Sequence, residues 1–368
     1  MDYRKDKRII MTLDAGGTRL VFSALRGGEE VVPSLAIPTA RDTLEATLQA
    51  VIGGFEDIRS HLADPPSAVC FGFPAPADYR SGVIGDLENI PVFRGGIALG
   101  PMLEDHFGLP VFIYNDGDLF AYGESLAGFL PHINVMLKEH GSARRYKNLL
   151  GVTLGTGIGG GIVTEGRMLQ GDNAVQGEIN RMRNRLYPQS SVEDSAGARG
   201  VRRVFARVAG IAEDDAPTPK EIYEIGMEQR EGNSEAARHA FTELAAVTGD
   251  AVANAVTLLD GLVVLGGGLA GAHKLFLSQL VDEMNAGFVT LSGSPLPRME
   301  TTAFNLEDPA GLQEFLHDDL RGVMVPFSNR TVTFEEIKRV GVGVSRLGTE
   351  RAVALGAYAA ALERLDGR

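Results

Sequence analysis

Three glycine-rich stretches dominate the chemistry that this chain could do: "DAGGTR" at 14–19, "LGTGIGGG" at 154–161 and "VVLGGGLAG" at 263–271. Successive backbone N–H groups in tight glycine turns form anion-binding nests, and glycine lets the backbone approach a phosphate without a Cβ. In the first stretch, Asp14 can hold Mg²⁺ through water, Gly16 and Gly17 expose amides, and Thr18 offers a hydroxyl. In the second, Gly155, Thr156 and Gly157 offer the same set from another side, and Gly267 and Gly268 form a third cluster. A further candidate is the pair Asn115–Asp116, which follows the apolar run Val111–Tyr114. An Asp at the end of a buried strand can act as a general base, and it can equally cap the helix that begins after it.

Gly155, Gly157 and Gly160 also spell G-x-G-x-x-G, the fingerprint of a dinucleotide-binding turn. That turn must open a helix, so that a pyrophosphate sits on the helix N-terminus. After Gly161 the chain reads "IVTEGRML", a second strand with no room for a helix. Gly266, Gly268 and Gly271 repeat the spelling with a strand before and a helix after, but no ribose-binding acid follows in "MNAGFVTL" at 284–291. A dehydrogenase is the weaker reading.

The elements that must position these groups follow from patterning. Residues 9–28 and 149–166 echo one another: apolar run, Gly/Thr turn, second apolar run, glycine turn. Two such β-hairpins predict two domains on one plan. Apolar spacing predicts a helix over Thr43–Phe55, and Ala68–Phe73 and Val111–Tyr114 are buried strands. A short helix is expected at Pro101–His106 and another at Gly117–Ala127. A long helix at Glu235–Leu259 precedes a strand at Leu262–Leu265 and a helix at His273–Met284. A last helix, Thr349–Arg364, has Thr349 as N-cap. Asp214–Lys220 and Ser292–Arg298 have loop composition.

With 368 residues, 44% hydrophobic and 23% charged, the chain is an ordinary globular protein of two-domain size. The net charge of −13 argues against a nucleic-acid partner. The basic cluster Arg144, Arg145, Lys147 reads as a solvated loop. No run of eighteen apolar residues suggests a membrane span, and "MDYRKDKRII" lacks the apolar segment of a signal peptide. The single cysteine, Cys70, reads as a buried inert thiol, and a cytoplasmic location is expected.

Taken together these motifs resemble the ROK family of sugar kinases and related repressors. "DAGGTR" and "LGTGIGGG" are similar to its two phosphate loops, and "VVLGGGLAG" to its adenosine-side loop. "FGFPAP" at 71–76, "ENIP" at 88–91, "YNDGDLFAYGE" at 114–124, "GEIN" at 177–180 and "SRLGTERAVALGAYAAAL" at 345–362 resemble further family segments. The resemblance implies an α/β, two-domain actin-like (ribonuclease H-like) ATPase fold with an interdomain cleft. Residues 1–125 plus 349–368 would form one domain and 126–348 the other. It implies ATP and Mg²⁺ as cofactors, and a hexose phosphorylated at its 6-hydroxyl with Asp116 as general base. Asn89, Asn115, Asp116, Glu178, Arg181 and Glu193 would lie around the sugar, and a homodimer is expected.

The chain departs from the family at 177–200. Arg181 stands where the family has a sugar-binding His, and the segment has neither Cys nor His, so no zinc site is expected. Arg181 either shifts specificity toward a modified or acidic hexose, or faces solvent or pairs with Glu178 or Glu193. The rivals are a sugar-binding or regulatory member without catalysis, and a DNA-binding repressor. The repressor is disfavoured because Asp14 leaves no room for a preceding helix-turn-helix and the charge is wrong for DNA.

Overall fold

The computed structural model describes residues 2–15, 19–39, 43–74, 76–86 and 93–367. Gly16, Gly17, Thr18 and Asn89 lie outside the described residues, as does all of "ENIP" at 88–91. Two sheets share one plan, as the sequence echo predicts. In the first, β1 (Ile10–Ala15) and β2 (Arg19–Arg26) form an antiparallel hairpin. Short strands β3 (Glu29–Glu30) and β4 (Leu35–Pro38) extend β2 at its outer edge. On the other side β1 pairs in parallel with β5 (Ala68–Gly72), which pairs in parallel with β8 (Val111–Tyr114). Between them lies a two-residue hairpin, β6 (Ala77–Asp78) and β7 (Val83–Ile84).

The second sheet repeats this arrangement. Strands β9 (Leu149–Leu154) and β10 (Ile158–Thr164) form the hairpin, with β11 (Arg167–Leu169) outside it. Then β12 (Leu262–Gly266), β18 (Arg339–Val344) and β15 (Thr302–Asn305) follow in parallel. Two isolated hairpins, β13 (Gly287–Val289) with β14 (Pro295–Pro297) and β16 (Leu320–Met324) with β17 (Thr331–Glu335), complete the strands. The central strands β5 and β12 are unbroken apolar runs, "AVCFG" and "LVVLG", and every residue in them is buried, as strands covered on both faces require. Cys70 is buried and unpaired within β5.

Helices α1 (Leu44–Ser60) and α2 (Leu99–Phe107) pack on the first sheet. The α1 N-cap is Thr43, whose hydroxyl accepts from Ala46 N–H at 3.1 Å. Helices α5 (Ala198–Ala209), α6 (Pro219–Gly226), α7 (Ser234–Leu259) and α8 (Leu277–Met284) build the core beyond the second sheet. Between the sheets lie α3 (Asp116–Leu126), α4 (Phe129–Glu139) and α10 (Thr349–Leu365), while α9 (Pro309–Leu316) packs beside β15. Among the described residues, no helix is long and apolar enough to cross a membrane.

Five expectations need correction. Ser292–Arg298, expected as loop, contains β14 at Pro295–Pro297, paired with β13. The helix expected at His273–Met284 is a 3-10 stretch over Gly268–Leu275 and then α8. The cap of α10 is Gly348, not Thr349. The Thr349 hydroxyl instead accepts from Gly267 N–H at 2.8 Å, tying α10 to the third glycine cluster. Arg144 is not solvated: it pairs with Asp318 at 2.9 Å and donates to the Phe315 carbonyl at 2.7 Å. The Asp214–Lys220 stretch starts in a 3-10 turn, Glu213–Asp215, and is loop only from Ala216 to Thr218, which opens α6 with a full capping box to Glu221 and Pro219 in the first turn. The motif Thr-x-x-Glu was the sequence signal for it.

The two inner helices touch backbone to backbone. A Cβ on Gly123 of α3 would stand 1.9 Å from the Ala352 carbonyl oxygen, and one on Gly356 of α10 would stand 2.1 Å from the Leu119 carbonyl oxygen. In an exposed helix Gly→Ala gains up to about 1 kcal/mol. Gly123→Ala and Gly356→Ala are expected to do the reverse and destabilise by about 1–3 kcal/mol, as overpacked cores do. Gly53→Ala, in an exposed position of α1 with nothing within 4 Å, is the stabilising control. Urea unfolding of the three variants decides the matter, and stabilisation by either inner substitution would show that the helices can part at no cost.

Candidate active site

The predicted residues gather where the parallel strands of both sheets end. Asp14 is the fifth residue of β1, Asn115 follows β8, the turn Gly155–Gly157 joins β9 to β10, and Gly267–Gly268 follow β12. This is the end of an open α/β sheet at which ligands bind.

Asn115 and Asp116 divide the two roles that the sequence left open. Asn115 is the N-cap of α3, its Oδ1 accepting from Gly117 N–H at 2.8 Å. Its Nδ2 donates to Glu178 Oε1 at 3.3 Å and lies 3.4 Å from the Tyr79 hydroxyl. Tyr79, which no sequence motif marked, is buried and donates to the Phe73 carbonyl at 2.8 Å, so the exit of β5 and the start of α3 are held together. Asp116 is exposed, and its Oδ1 shares the Gly117 N–H with Asn115. Protein surrounds it on the remaining sides. This loss of solvent raises its carboxyl above the usual range, while a 2.9 Å hydrogen bond from Gly117 N–H works the other way.

The neighbouring carboxylates are perturbed in the same sense. Burial, then the charges of Asp116 and Glu350, lift Asp14 to about 6, with Arg19 opposing. Burial raises Glu178; Asn180 and Arg181 oppose, and the charges of Asp116 and Glu193 add to the rise. Asp118, one turn face away on α3, is 1% exposed, has an Oδ1 without a hydrogen-bond partner and is raised well above the usual range, chiefly by burial. Such a surplus of crowded acids fits a cation. Among the described residues no three acid, His or Cys side chains form a metal cage, so a Mg²⁺ would depend on Asp14 together with oxygens brought by a ligand.

The glycines of "LGTGIGGG" do two different jobs. Gly155 has open space where a Cβ would stand, and Thr156 beside it is exposed. The others serve packing. A Cβ on Gly157 would meet Glu193 Oε1 at 2.3 Å, on Gly160 the Gly177 carbonyl oxygen at 2.5 Å, and on Gly161 the Gly117 carbonyl oxygen at 2.2 Å. The string therefore lets the start of α3 and the Gly177–Glu178 turn press onto β10. Gly267, with φ of 82°, packs on the Leu154 backbone, and Gly268 is open.

Glu193 pairs with Arg199 at 3.0 Å and accepts from Asn180 at 3.4 Å. Arg181 is exposed and has no ion pair among the described residues; its charge acts on Glu178 only at a distance. The segment between them is held by a buried polar network. Asn184, fully buried, donates to Ser195 Oγ at 2.9 Å and accepts from the backbone of Leu186 and Tyr187. Ser195 donates in turn to Glu243 at 3.2 Å, and Glu243 pairs with Arg207. Sequence reasoning found none of these, because a lone Asn and a mid-helix Glu carry no motif.

Beyond Gly155 and Thr156 opens a cavity of about 540 Å³ whose walls include Ala198, Lys220, Tyr223, Gly268 and Ala272. Its lining is mainly apolar with a few polar groups, the usual build of a small-molecule pocket. Lys220 and Tyr223 were also missed: Lys220 fell in the stretch expected as loop, and Tyr223 lies in the part of α6 that no pattern marked.

The match to known families agrees with this geometry. The model of the ROK family matches residues 10–313. The chain belongs to the ROK family. It is 30% identical to an N-acetyl-D-glucosamine kinase of Vibrio atlanticus over 72% of this chain and 85% of that one. It is 27% identical to a glucokinase of Halalkalibacterium halodurans over 74% and 84%. Among solved structures, a glucokinase of Parabacteroides distasonis is 50% identical with a TM-score of 0.85, each chain covering 99% of the other. A ROK family glucokinase of Streptomyces griseus in complex with glucose and AMPPNP is 19% identical over 95% and 98%, with a TM-score of 0.61, which shows a shared fold. The fold is that of the actin-like ATPases.

The raised Asp14 has a consequence for stability. A carboxyl whose folded pKa lies above its unfolded value favours folding only while protonated, so its contribution is lost as pH rises from about 4 through 6. The ligand-free Asp14→Asn variant is therefore expected to melt a few degrees above the wild type at pH 7, with the difference closing toward pH 4. Melting curves of both proteins from pH 4 to 8 test this, and a variant that melts lower at pH 7 would contradict it.

Proposed function

We propose that this protein transfers the γ-phosphoryl group of ATP to a hydroxyl of a hexose or hexosamine, with Asp116 as the general base. The protein is an enzyme of the sugar-kinase class, as its relatives are named kinases of glucose and of N-acetyl-D-glucosamine. The single observation that carries the finer reading is the position of Asp116. Its carboxylate is water-accessible, charge-coupled to Asp14 on one side and to Glu178 on the other. A base there would serve a hydroxyl held near Glu178 and a phosphate held near Asp14.

In this reading Glu178, Asn115 and Glu193 hold sugar hydroxyls, since carboxylates and amides can each engage two neighbours; Asn89 would join them. Asp116 accepts the proton of the attacking hydroxyl, and burial, which raises its carboxyl, makes it a stronger proton acceptor than a solvated Asp. Gly16, Gly17, Thr18 and Thr156 cradle phosphates through N–H and hydroxyl groups; Gly155 leaves them open space, while Gly157 packs on Glu193 and accepts the Gly155 N–H. The apolar cavity beside Gly268, with Tyr223 and Lys220, takes the adenosine. Mg²⁺, held through water by Asp14, would neutralise phosphate charge. Little else is asked of the protein, because phosphoryl transfer depends on in-line positioning and charge neutralisation. The two domains, 1–125 with 349–368 and 126–348, would close over the sugar and exclude water as a competing acceptor.

A coupled ADP-release assay with ATP–Mg²⁺ over glucose, N-acetylglucosamine, mannose and fructose is the test, with glucose expected to lead. Asp116→Asn should lower kcat by about 10²–10⁴-fold with little change in sugar KM. A variant that keeps a tenth or more of the turnover removes Asp116 from the role. Sugars that raise the melting temperature without any ADP release would make the protein a sugar-binding regulator.

Arg181→His, run over the same panel with an acidic hexose added, should change the ranking of substrates by at least about tenfold if Arg181 sets specificity. An unchanged ranking leaves Arg181 as a solvent-facing counter-charge to Glu178.

A further inference from the structure

A chain of polar side chains runs through the candidate active site. Tyr79 donates to the Phe73 carbonyl at 2.8 Å, and Asn115 Nδ2 reaches the Tyr79 hydroxyl at 3.4 Å. The same Nδ2 donates to Glu178 Oε1 at 3.3 Å. Asn180 bonds Glu178 and also donates to Glu193 Oε2 at 3.4 Å. Glu193 Oε1 then accepts from Arg199 Nη2 at 3.0 Å. Every member is neutral or acidic except the last. Arg199 brings a fixed positive charge to the end of the chain that adjoins the turn Gly155–Gly157.

The fold sets that position. Arg199 is the second residue of α5, whose N-cap, Gly197, has a φ of 95° and no side chain to cap the helix. A Cβ on Gly197 would stand 2.7 Å from Gly157 Cα, so the helix start lies backbone to backbone on the turn. The first N–H groups of a helix have no partner within it. Here the turn accepts them: Ala198 donates to the Gly155 carbonyl at 2.9 Å and Arg199 to the Thr156 carbonyl at 3.5 Å. Ala198 is also part of the wall of the 540 Å³ cavity. Arg199 therefore stands where the cavity and the sugar-side carboxylates adjoin.

The later arginines of α5 have other duties. Arg202 donates to the Glu213 and Ala216 carbonyls, Arg203 pairs with Asp194 and Glu213, and Arg207 pairs with Glu243. Arg19, beside Asp14, pairs with Glu350. The partner of Arg199 is instead a carboxylate that a sugar can engage, and the guanidinium is half-exposed. So exposed an ion pair contributes little and is readily exchanged. A guanidinium holds phosphate more firmly, through two parallel N–H···O bonds. The cleft also needs such a charge. Asp14, Asp116 and Glu178 already crowd one another, and a nucleotide adds further negative charge.

We propose that Arg199 is a phosphate-binding residue, which exchanges Glu193 for phosphate oxygens of ATP beside Thr156 and leaves Glu193 to the sugar hydroxyls. The inference rests on the reading that Thr156 faces the phosphates and the cavity takes the adenosine. A guanidinium placed there also meets the charge that develops as a phosphoryl group is transferred.

Calorimetric titration of the full chain tests this with four probes: AMPPNP–Mg²⁺, adenosine, glucose and N-acetylglucosamine. Arg199→Ala should weaken AMPPNP–Mg²⁺ by about 10–100-fold, the size of a lost charge-assisted contact. Its affinity for adenosine and for the sugars should change by less than about fivefold, the worth of an exposed ion pair. Arg199→Lys, which keeps the charge without the fork, should recover part of the loss. Unchanged affinity for AMPPNP–Mg²⁺ overturns the inference and leaves the kinase reading standing. An equal loss for adenosine also overturns it, since Arg199 would then only support the cavity wall. A loss confined to the sugars does the same, since Arg199 would then only brace Glu193. A wild type that binds no AMPPNP–Mg²⁺ overturns both readings.

Discussion

The whole arrangement rests on one helix being pressed into both sheets at once. Helix α3 carries Asp116 at its first position, and nothing about a short helix fixes its N-terminus in space. Here its surroundings do. On one side it meets α10 at Gly123 and Gly356 with carbonyl oxygens where Cβ atoms would be. On the other it lies across glycines of three strands, Gly151, Gly161 and Gly266, which meet Ala121, Gly117 and Phe120. At its far end the buried Glu124 accepts from Phe129, Arg346 and Leu347 N–H groups and from Ser345, capping α4 and gripping the connection into α10. Ridges of ordinary side chains would hold helices 8–10 Å apart and let them slide. Backbone contact leaves no such freedom, so Asp116 is set within the cleft by the packing of the molecule's centre.

That placement has an electrostatic cost. Asp14, Asp116, Asp118 and Glu178 all have carboxyls raised above their usual range, mainly by burial and then by one another. A fold selected for stability alone would not crowd four acids in this way. In the proposed reading a cation on the Asp14 side and hydroxyl donors on the Glu178 side would relieve this crowding. The sugar-side loop shows the opposite treatment. Asn184, Ser195 and Glu243 are buried and mutually hydrogen-bonded, so that rigid polar contacts hold the segment bearing Glu178 and Glu193.

The sequence was legible where local chemistry and periodicity agree. The paired hairpins at 9–28 and 149–166, the buried strands β5, β8 and β12 and the long helix α7 all stand as their patterns imply. Of the eleven site residues that can be described, eight lie at or just past strand ends, while Glu178, Arg181 and Glu193 lie in or beside two 3-10 turns that no strand pattern announces. The misses have physical causes. Thr349 has the type of an N-cap, but the carbonyl geometry at Gly348 and the bond to Gly267 gave its hydroxyl another task. Arg144 looked like loop charge because its partner, Asp318, is distant in the chain.

By itself the sequence determined the two-sheet plan, the family and the kinds of group in the cleft, because strand patterning, glycine turns and a strand-end Asn-Asp are local features that the chain must honour wherever it folds. It could not say which glycines face a ligand and which exist to let backbones touch; the string "LGTGIGGG" contains both. Only the tertiary structure decided that, since the distinction depends on what lies opposite each Cα: open space at Gly155, a carboxylate at Gly157, a helix N-terminus at Gly161. It likewise decided that Asn115 caps α3 with Asp116 exposed beside it, and that the hairpins β13–β14 and β16–β17 stand outside both sheets. Each of these is set by contacts between residues far apart in the chain, which spacing and residue type do not encode.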